Sequence, residues 1–251
     1  MSTREKEHHE GWTALHQQLT TNLGQPSRDP LPLGNRADPD EELVYLLLTL
    51  MTRSQAAIEH THAALLDLAG SPPWAALQHA DTGTLKRLLQ PVGLVQRRST
   101  TLRSLGVTVT QQHGGTLRSL APLDDEELLR ELEALPGIGR KTSRCLAAYA
   151  YGRDMLAVDV HVVRVLKRLG LVDAEATWAA VDQQANTDVP AHLRYDLHVL
   201  LVRHGRERCT CVSPRCQSCP LQAACPSAHQ ASEARADYIV ELRRTPREQV
   251  G

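Results

Sequence analysis

Three groups of residues in this chain have the types and spacing to do chemistry. The first is Lys141, directly after a turn with two glycines, Gly137-Ile138-Gly139-Arg140, and before Thr142. Glycines at such a turn let backbone N–H groups point outward, and a nest of amides at a helix start binds an anion, most often a phosphate. The second is Asp159, eighteen residues further on in AVDVHVVRV. The third is a run near the C-terminus, Cys209-x6-Cys216-x2-Cys219-x5-Cys225, with Cys211 surplus to it.

Each group admits a bland reading and a chemical one. Lysine occurs only at Lys6, Lys86, Lys141 and Lys167, in a chain whose other basic residues are arginine. Arginine would hold a phosphate as well or better, because its fork is bidentate. Lysine is needed where an amine must lose its proton and attack carbon. Asp159 is a good N-cap for the valine-rich helix after it, and a cap also fixes a carboxylate in place for chemistry. Five of the six cysteines fall between Cys209 and Cys225. In a chain read as cytosolic that density argues for metal rather than disulfides. Zinc often takes two C-x2-C pairs separated by a longer loop, and only one such pair exists. The compact single loop suits an iron–sulfur cubane better. Cys145 reads as a buried apolar residue.

The elements that must position these groups read as helices throughout. Asp124–Ala134 carries acidic residues in its first turn and Leu128, Leu129 and Leu132 at helical spacing. The segment from Lys141 ends at Gly152. Val160–Leu169 has one apolar stripe and Gly170 as its stop. Upstream, helices are expected over Gly11–Leu23, over 41–69 with a break near Thr52–Ser54, around Trp74 and Leu77, and over Asp81–Leu89 and Gln96–Leu105. A further one is expected over Ala191–His204. Asp38 and Pro39 open the second of these as cap and first residue. No strand alternation or fixed repeat rises above noise, so the class is all-α.

The helix, two-glycine hairpin, helix at about 129–148, with Asp159 and the cysteine run, resembles the endonuclease III family of helix-hairpin-helix DNA glycosylases, the iron–sulfur branch. The resemblance runs from about Leu43 to Cys225, and the HGR-x-x-C at His204–Cys209 is part of it. It implies a six-helix barrel over 41–152 and a discontinuous iron–sulfur domain from 1–40 and 153–225, with 226–251 a partly flexible tail. It implies a bifunctional enzyme that removes oxidised pyrimidines from double-stranded DNA and cuts at the abasic site. Lys141 would form a Schiff base, Asp159 would assist, and Cys209, Cys216, Cys219 and Cys225 would hold a [4Fe–4S] cluster. Gly137, Ile138, Gly139, Arg140 and Thr142 of the hairpin, Gly93 in the PVGL turn, and Arg98 are the expected DNA contacts. Alternatives within reach are a mismatch glycosylase and a non-catalytic, damage-binding iron–sulfur protein.

The family's LLSAQ-x-x-D segment supplies polar side chains to the gap left by an everted base. This chain reads LMTRSQAA at Leu50–Ala57, which makes Ser54 or Gln55 the expected gap filler and points to weak or altered activity. Net charge is −1, from 28 basic and 29 acidic residues, so a nucleic-acid partner demands uneven charge rather than excess. Arginines do cluster, at Arg97–Arg98, Arg140–Arg144, Arg164–Arg168 and Arg203–Arg208. The longest apolar run, Leu43–Met51, is too short to span a bilayer, and the first eleven residues are polar without a signal peptide. The expectation is a cytoplasmic monomer, nucleoid-associated when bound to DNA.

Overall fold

The computed structural model describes residues 3–52 and 54–229. In chain order the α-helices are α1 (Thr3–Leu23), α2 (Pro39–Thr49), α3 (Gln55–Ala69), α4 (Trp74–His79), α5 (Thr82–Leu89) and α6 (Val95–Gln112). They continue as α7 (Asp125–Ala134), α8 (Arg140–Tyr149), α9 (Val160–Arg168), α10 (Trp178–Asp188), α11 (Ala191–Glu207) and α12 (Pro226–His229). No strand forms among the described residues, so the fold is all-α. None of the described helices is long and apolar enough to cross a membrane. Of the tail expected over 226–251, residues 230–251 lie outside the described residues.

The described residues divide into a central unit, within residues 33–153, and a terminal unit, residues 3–32 with 154–229. Residues 33–40, which the resemblance assigned to the discontinuous domain, fall in the central unit. Local bonds hold them there: the Tyr45 hydroxyl donates to Leu33 O at 3.1 Å, and the Arg36 N–H donates to Glu42 at 2.6 Å.

In the central unit, helix starts follow sequence. Asp38 accepts from the amides of Asp40 and Glu41, with Pro39 as first helical residue. Ser54, Asp81 and Asp124 cap α3, α5 and α7 in the same way. α2 is buried on nearly every side, from Leu43 to Leu48. Its one fully satisfied buried charge is Asp40, which accepts from Trp74 Nε1 at 2.5 Å, Thr116 Oγ1 at 2.6 Å and Leu117 N at 2.7 Å. Three donors on one carboxylate offset the cost of burying it and pin α2 to α4 and to the segment before α7.

In the terminal unit α1 packs on α11, and α11 on α9. Trp12, Leu15 and Leu19 of α1 are buried, as are Leu197, Leu200 and Leu201 of α11. α1 begins eight residues earlier than the expected Gly11. α10 has no strong apolar stripe and carries Asn186, Thr187 and Asp188, poor helix formers. Thr177 caps it, and buried Val181 and Ala185 anchor it, so tertiary packing creates a helix the periodicity did not announce.

Candidate functional site

The hairpin of the central unit joins α7 to α8. Leu135 ends α7 in extended backbone, and Ile138 N donates back to Leu135 O at 3.1 Å. Gly137 has φ +77°, which favours glycine, and a Cβ there would come within 3.0 Å of Thr101 Cγ2 on α6. Ser143 ties the two helices by donating to Glu133 at 3.0 Å. α7 and α8 pack on each other, and α8 packs on α2.

Gly139 opens α8 with no side-chain cap. Leu94, in left-handed backbone at φ 47°, opens α6 with none either. α2, α3, α5 and α7 all have one. These two starts, uncapped like that of α4 at Pro73, keep first-turn donors and a positive helix end for an outside anion. They are the two turns that the sequence marked, at Gly93 and at Gly137–Arg140. Arg140 is exposed at the second. Ile138 and Thr142, expected DNA contacts, are buried, and their amides donate to Leu135 O and Gly139 O within the hairpin.

Lys141 stands in the first turn of α8, half-buried. Its charge is felt by Glu42 on α2, whose side chain is fully buried. Burial holds the Glu42 carboxyl well above the usual carboxylate range, against the Arg36 amide bond and the charges of Lys141 and Arg36. Nothing in the sequence pattern had singled out Glu42.

Arg98 requires correction. It is 3% exposed, and its guanidinium faces inward. Nε donates to Leu47 O at 3.0 Å, and Nη2 donates to Leu48 O at 3.1 Å, to Thr52 Oγ1 at 2.9 Å and to Leu50 O. Nη1 donates to Gly93 O at 2.6 Å and to Val92 O. The side chain expected on a phosphate is instead spent on the carbonyls that end α2 and on the turn before α6. Six acceptors are reason enough for a buried cation.

Ser54 and Gln55 are exposed but engaged. Ser54 Oγ accepts from Ala57 N at 3.2 Å, and Gln55 Nε2 donates to Tyr45 Oη at 2.8 Å and to Glu59 at 2.7 Å. Among the described residues of this loop, the large apolar side chain open to solvent is Met51, 86% exposed at φ 56°.

In the terminal unit, Asp159 Oδ1 caps α9 by accepting from His161 N at 2.8 Å and Val162 N at 2.9 Å. α9 then carries two arginines that hold the cysteine loop. Arg164, buried, donates to Cys209 O at 2.8 Å, to Gly205 O at 2.8 Å and to His161 Nδ1 at 2.9 Å. Since arginine only donates, His161 accepts at Nδ1, and burial pulls its pKa down in keeping with a neutral ring. Arg168 donates to Cys209 Sγ at 3.2 Å, Thr210 O at 2.9 Å and Cys211 O at 3.1 Å.

Cys209, Cys216, Cys219 and Cys225 line one cavity of about 260 Å³ together with His204 and Arg168. Cys211 is not among its walls. Cys219 Sγ lies 3.7 Å from His204 Nε2, and burial lowers the His204 pKa to about 4. Burial pushes the Cys219 and Cys225 thiols up, and charge on neighbouring thiols adds to it. Among the described residues no three His, Cys, Asp or Glu side chains converge on a point that would hold a single metal ion.

Residues 49–190 match the family model described as HhH-GPD superfamily base excision DNA repair protein. The chain is 28% identical over 208 residues to endonuclease III of Escherichia coli (strain K12), covering 83% of this chain and 93% of that protein. It is 33% identical over 141 residues to endonuclease III of Bacillus subtilis (strain 168), 56% of this chain and 61% of that one. Among solved structures, a trapped endonuclease III–DNA covalent intermediate superposes with a TM-score of 0.76 at 23% identity, covering 92% of this chain and 99% of that chain.

Proposed function

The chain belongs to the HhH-GPD superfamily of base excision DNA repair proteins, in its endonuclease III branch, and is a DNA glycosylase and abasic-site lyase; we propose that Lys141 is its nucleophile and oxidised pyrimidines in duplex DNA its substrates. The observation that carries the assignment of the amine is its place: the first turn of the uncapped helix that follows the two-glycine hairpin.

A base can be excised only after it leaves the stack, at a cost of a few kcal/mol. The hairpin amides and the amides at the start of α6 hold backbone phosphates without reading sequence. The neutral amine of Lys141 attacks C1′, the bond to the base breaks, and its electron pair departs with the base, which takes up a proton. The sugar ring opens as its oxygen leaves C1′, giving a Schiff base between Nζ and C1′. Loss of a C2′ proton expels the 3′ phosphate and cuts the strand, and water then releases the lysine. An ordinary lysine has a pKa of about 10.4, so the attacking form needs help. Arg140 and the positive start of α8 supply cationic surroundings, and the raised affinity of Glu42 for a proton favours neutrality on that carboxyl. Asp159, held rigid by its capping bonds, offsets positive charge as it develops on the sugar.

The cysteine cavity fits a [4Fe–4S] cluster. Four thiols line one volume, and Cys219 feels the charge of the other three, as neighbouring ligands to separate iron corners would. A structural zinc asks its four ligands to meet at one ion instead. Cys209, Cys216, Cys219 and Cys225 would hold the cluster, which would tie the start of the loop after α11 to its end before α12. Arg168 offers a hydrogen bond to the Cys209 sulfur, and Arg206, Arg208 and Arg215 around it carry positive charge towards phosphate.

Borohydride trapping tests the reading. Wild-type protein mixed with a duplex containing an abasic site and sodium borohydride is expected to become covalently linked to the DNA, and Lys141→Ala to give no adduct. A wild-type protein that stays free while a control lyase is trapped contradicts the lyase assignment.

A further inference from the structure

Two large apolar side chains of the central unit are both open to solvent and on left-handed backbone: Met51, 86% exposed at φ 56°, and Leu94, 42% exposed at φ 47°. A non-glycine residue in this region is strained, and such strain persists only where surrounding structure imposes it. Here Arg98 imposes it. It donates to Leu50 O and Thr52 Oγ1, on either side of Met51, and to Val92 O and Gly93 O, just before Leu94. Thr52 Oγ1 closes the tie by donating to Val92 O at 3.0 Å. One buried cation thus fixes both tips, yet neither tip gains core burial from it.

Resting on the glycosylase reading, we propose that Met51 is the side chain that enters the base stack at the everted nucleotide, and that it fills the gap without reading the orphaned base. A rigidly presented apolar side chain is what proteins insert between bases, methionine among them. Ser54 and Gln55, the polar candidates, are engaged in capping α3 and in bonding Tyr45 and Glu59. A thioether is a weak acceptor and no donor, so it cannot distinguish the Watson–Crick edges of the four bases. The protein is therefore indifferent to the base opposite the lesion.

The test uses full-length protein and four duplexes that carry a tetrahydrofuran abasic analogue opposite A, C, G or T, with Kd read by fluorescence anisotropy. Wild type is expected to bind all four within about threefold, well inside the discrimination a bidentate base contact gives. Met51→Ala is expected to bind each roughly tenfold more weakly, the scale of one lost stacking contact. Met51→Gln is expected to open a preference among the four. Because Met51 is exposed, Met51→Ala should melt with wild type, which guards against misfolding. Met51→Ala binding like wild type, a wild type that discriminates more than about tenfold, or Met51→Gln as even as wild type each overturns the proposal. Borohydride trapping of wild type separates the two readings: an adduct beside an inert Met51→Ala sinks the wedge alone, whereas no adduct sinks the lyase.

Discussion

Thr52 donates its hydroxyl to Val92 O at 3.0 Å, forty residues away in sequence, and Arg98 donates to both of them. Through this knot the end of α2 and the start of α6 become one rigid edge of the central unit.

Truncating Arg98 should therefore cost much stability. Arg98→Ala leaves the carbonyls of Leu47, Leu48 and Gly93 without the donor Arg98 gives them. With about 1–3 kcal/mol for each buried group left unsatisfied, partly relieved by water, a loss of at least about 3 kcal/mol is expected. Arg98→Lys should recover only part, since an ammonium cannot span the same fork. Urea unfolding followed by circular dichroism measures both.

Lys141→Arg separates charge from nucleophilicity. Arginine keeps the cation and its phosphate affinity but stays protonated. The variant should bind an abasic duplex within a few-fold of wild type and give no borohydride adduct. Adduct formation by Lys141→Arg would move the nucleophile elsewhere.

Asp159→Asn makes the complementary separation on α9. Asparagine caps as well as aspartate, so the melting temperature should hold, with a change in stability of about 0.5 kcal/mol or less. Base excision should slow markedly, since the carboxylate is gone. An equal loss of stability and rate would reduce Asp159 to a cap.

The surplus cysteine gives a spectroscopic comparison. Cys209 lines the cavity and takes a hydrogen bond from Arg168, whereas Cys211 offers only its carbonyl to the same arginine. Cys211→Ser is expected to keep the visible thiolate-to-iron absorption and its iron content, and Cys209→Ser to lose both. Zinc rather than iron in the purified protein would overturn the cluster.

Glu42 sets a pH dependence of stability. Its carboxyl binds a proton more tightly folded than unfolded, chiefly through burial. That contribution is full below the ordinary carboxylate pKa of about 4.3 and is lost as pH rises towards the raised folded value. Glu42→Gln removes the titration. It should match wild type in acid and become progressively more stable than wild type as pH rises to neutrality. Equal stability of the two proteins across that range would show that the carboxylate is fully compensated by Arg36 and Lys141.

The sequence by itself determined what depends on neighbours along the chain. The caps at Asp38 and Asp159, the stripes of α7 and α9, the hairpin glycines and the spacing of the cysteines are local patterns, and backbone geometry turns each into structure. Tertiary structure decided what depends on distant partners. Arg98 was read as a phosphate ligand because charge usually seeks water, and only the convergence of carbonyls from α2 and the Val92–Gly93 turn shows why this one is buried. Met51 lay unmarked beside polar Ser54 and Gln55, since neither exposure nor a positive φ is written in residue type. Glu42 and the ties from α9 to the cysteine loop belong to the same class, because burial and hydrogen-bond partners arise only when helices far apart in sequence are packed together.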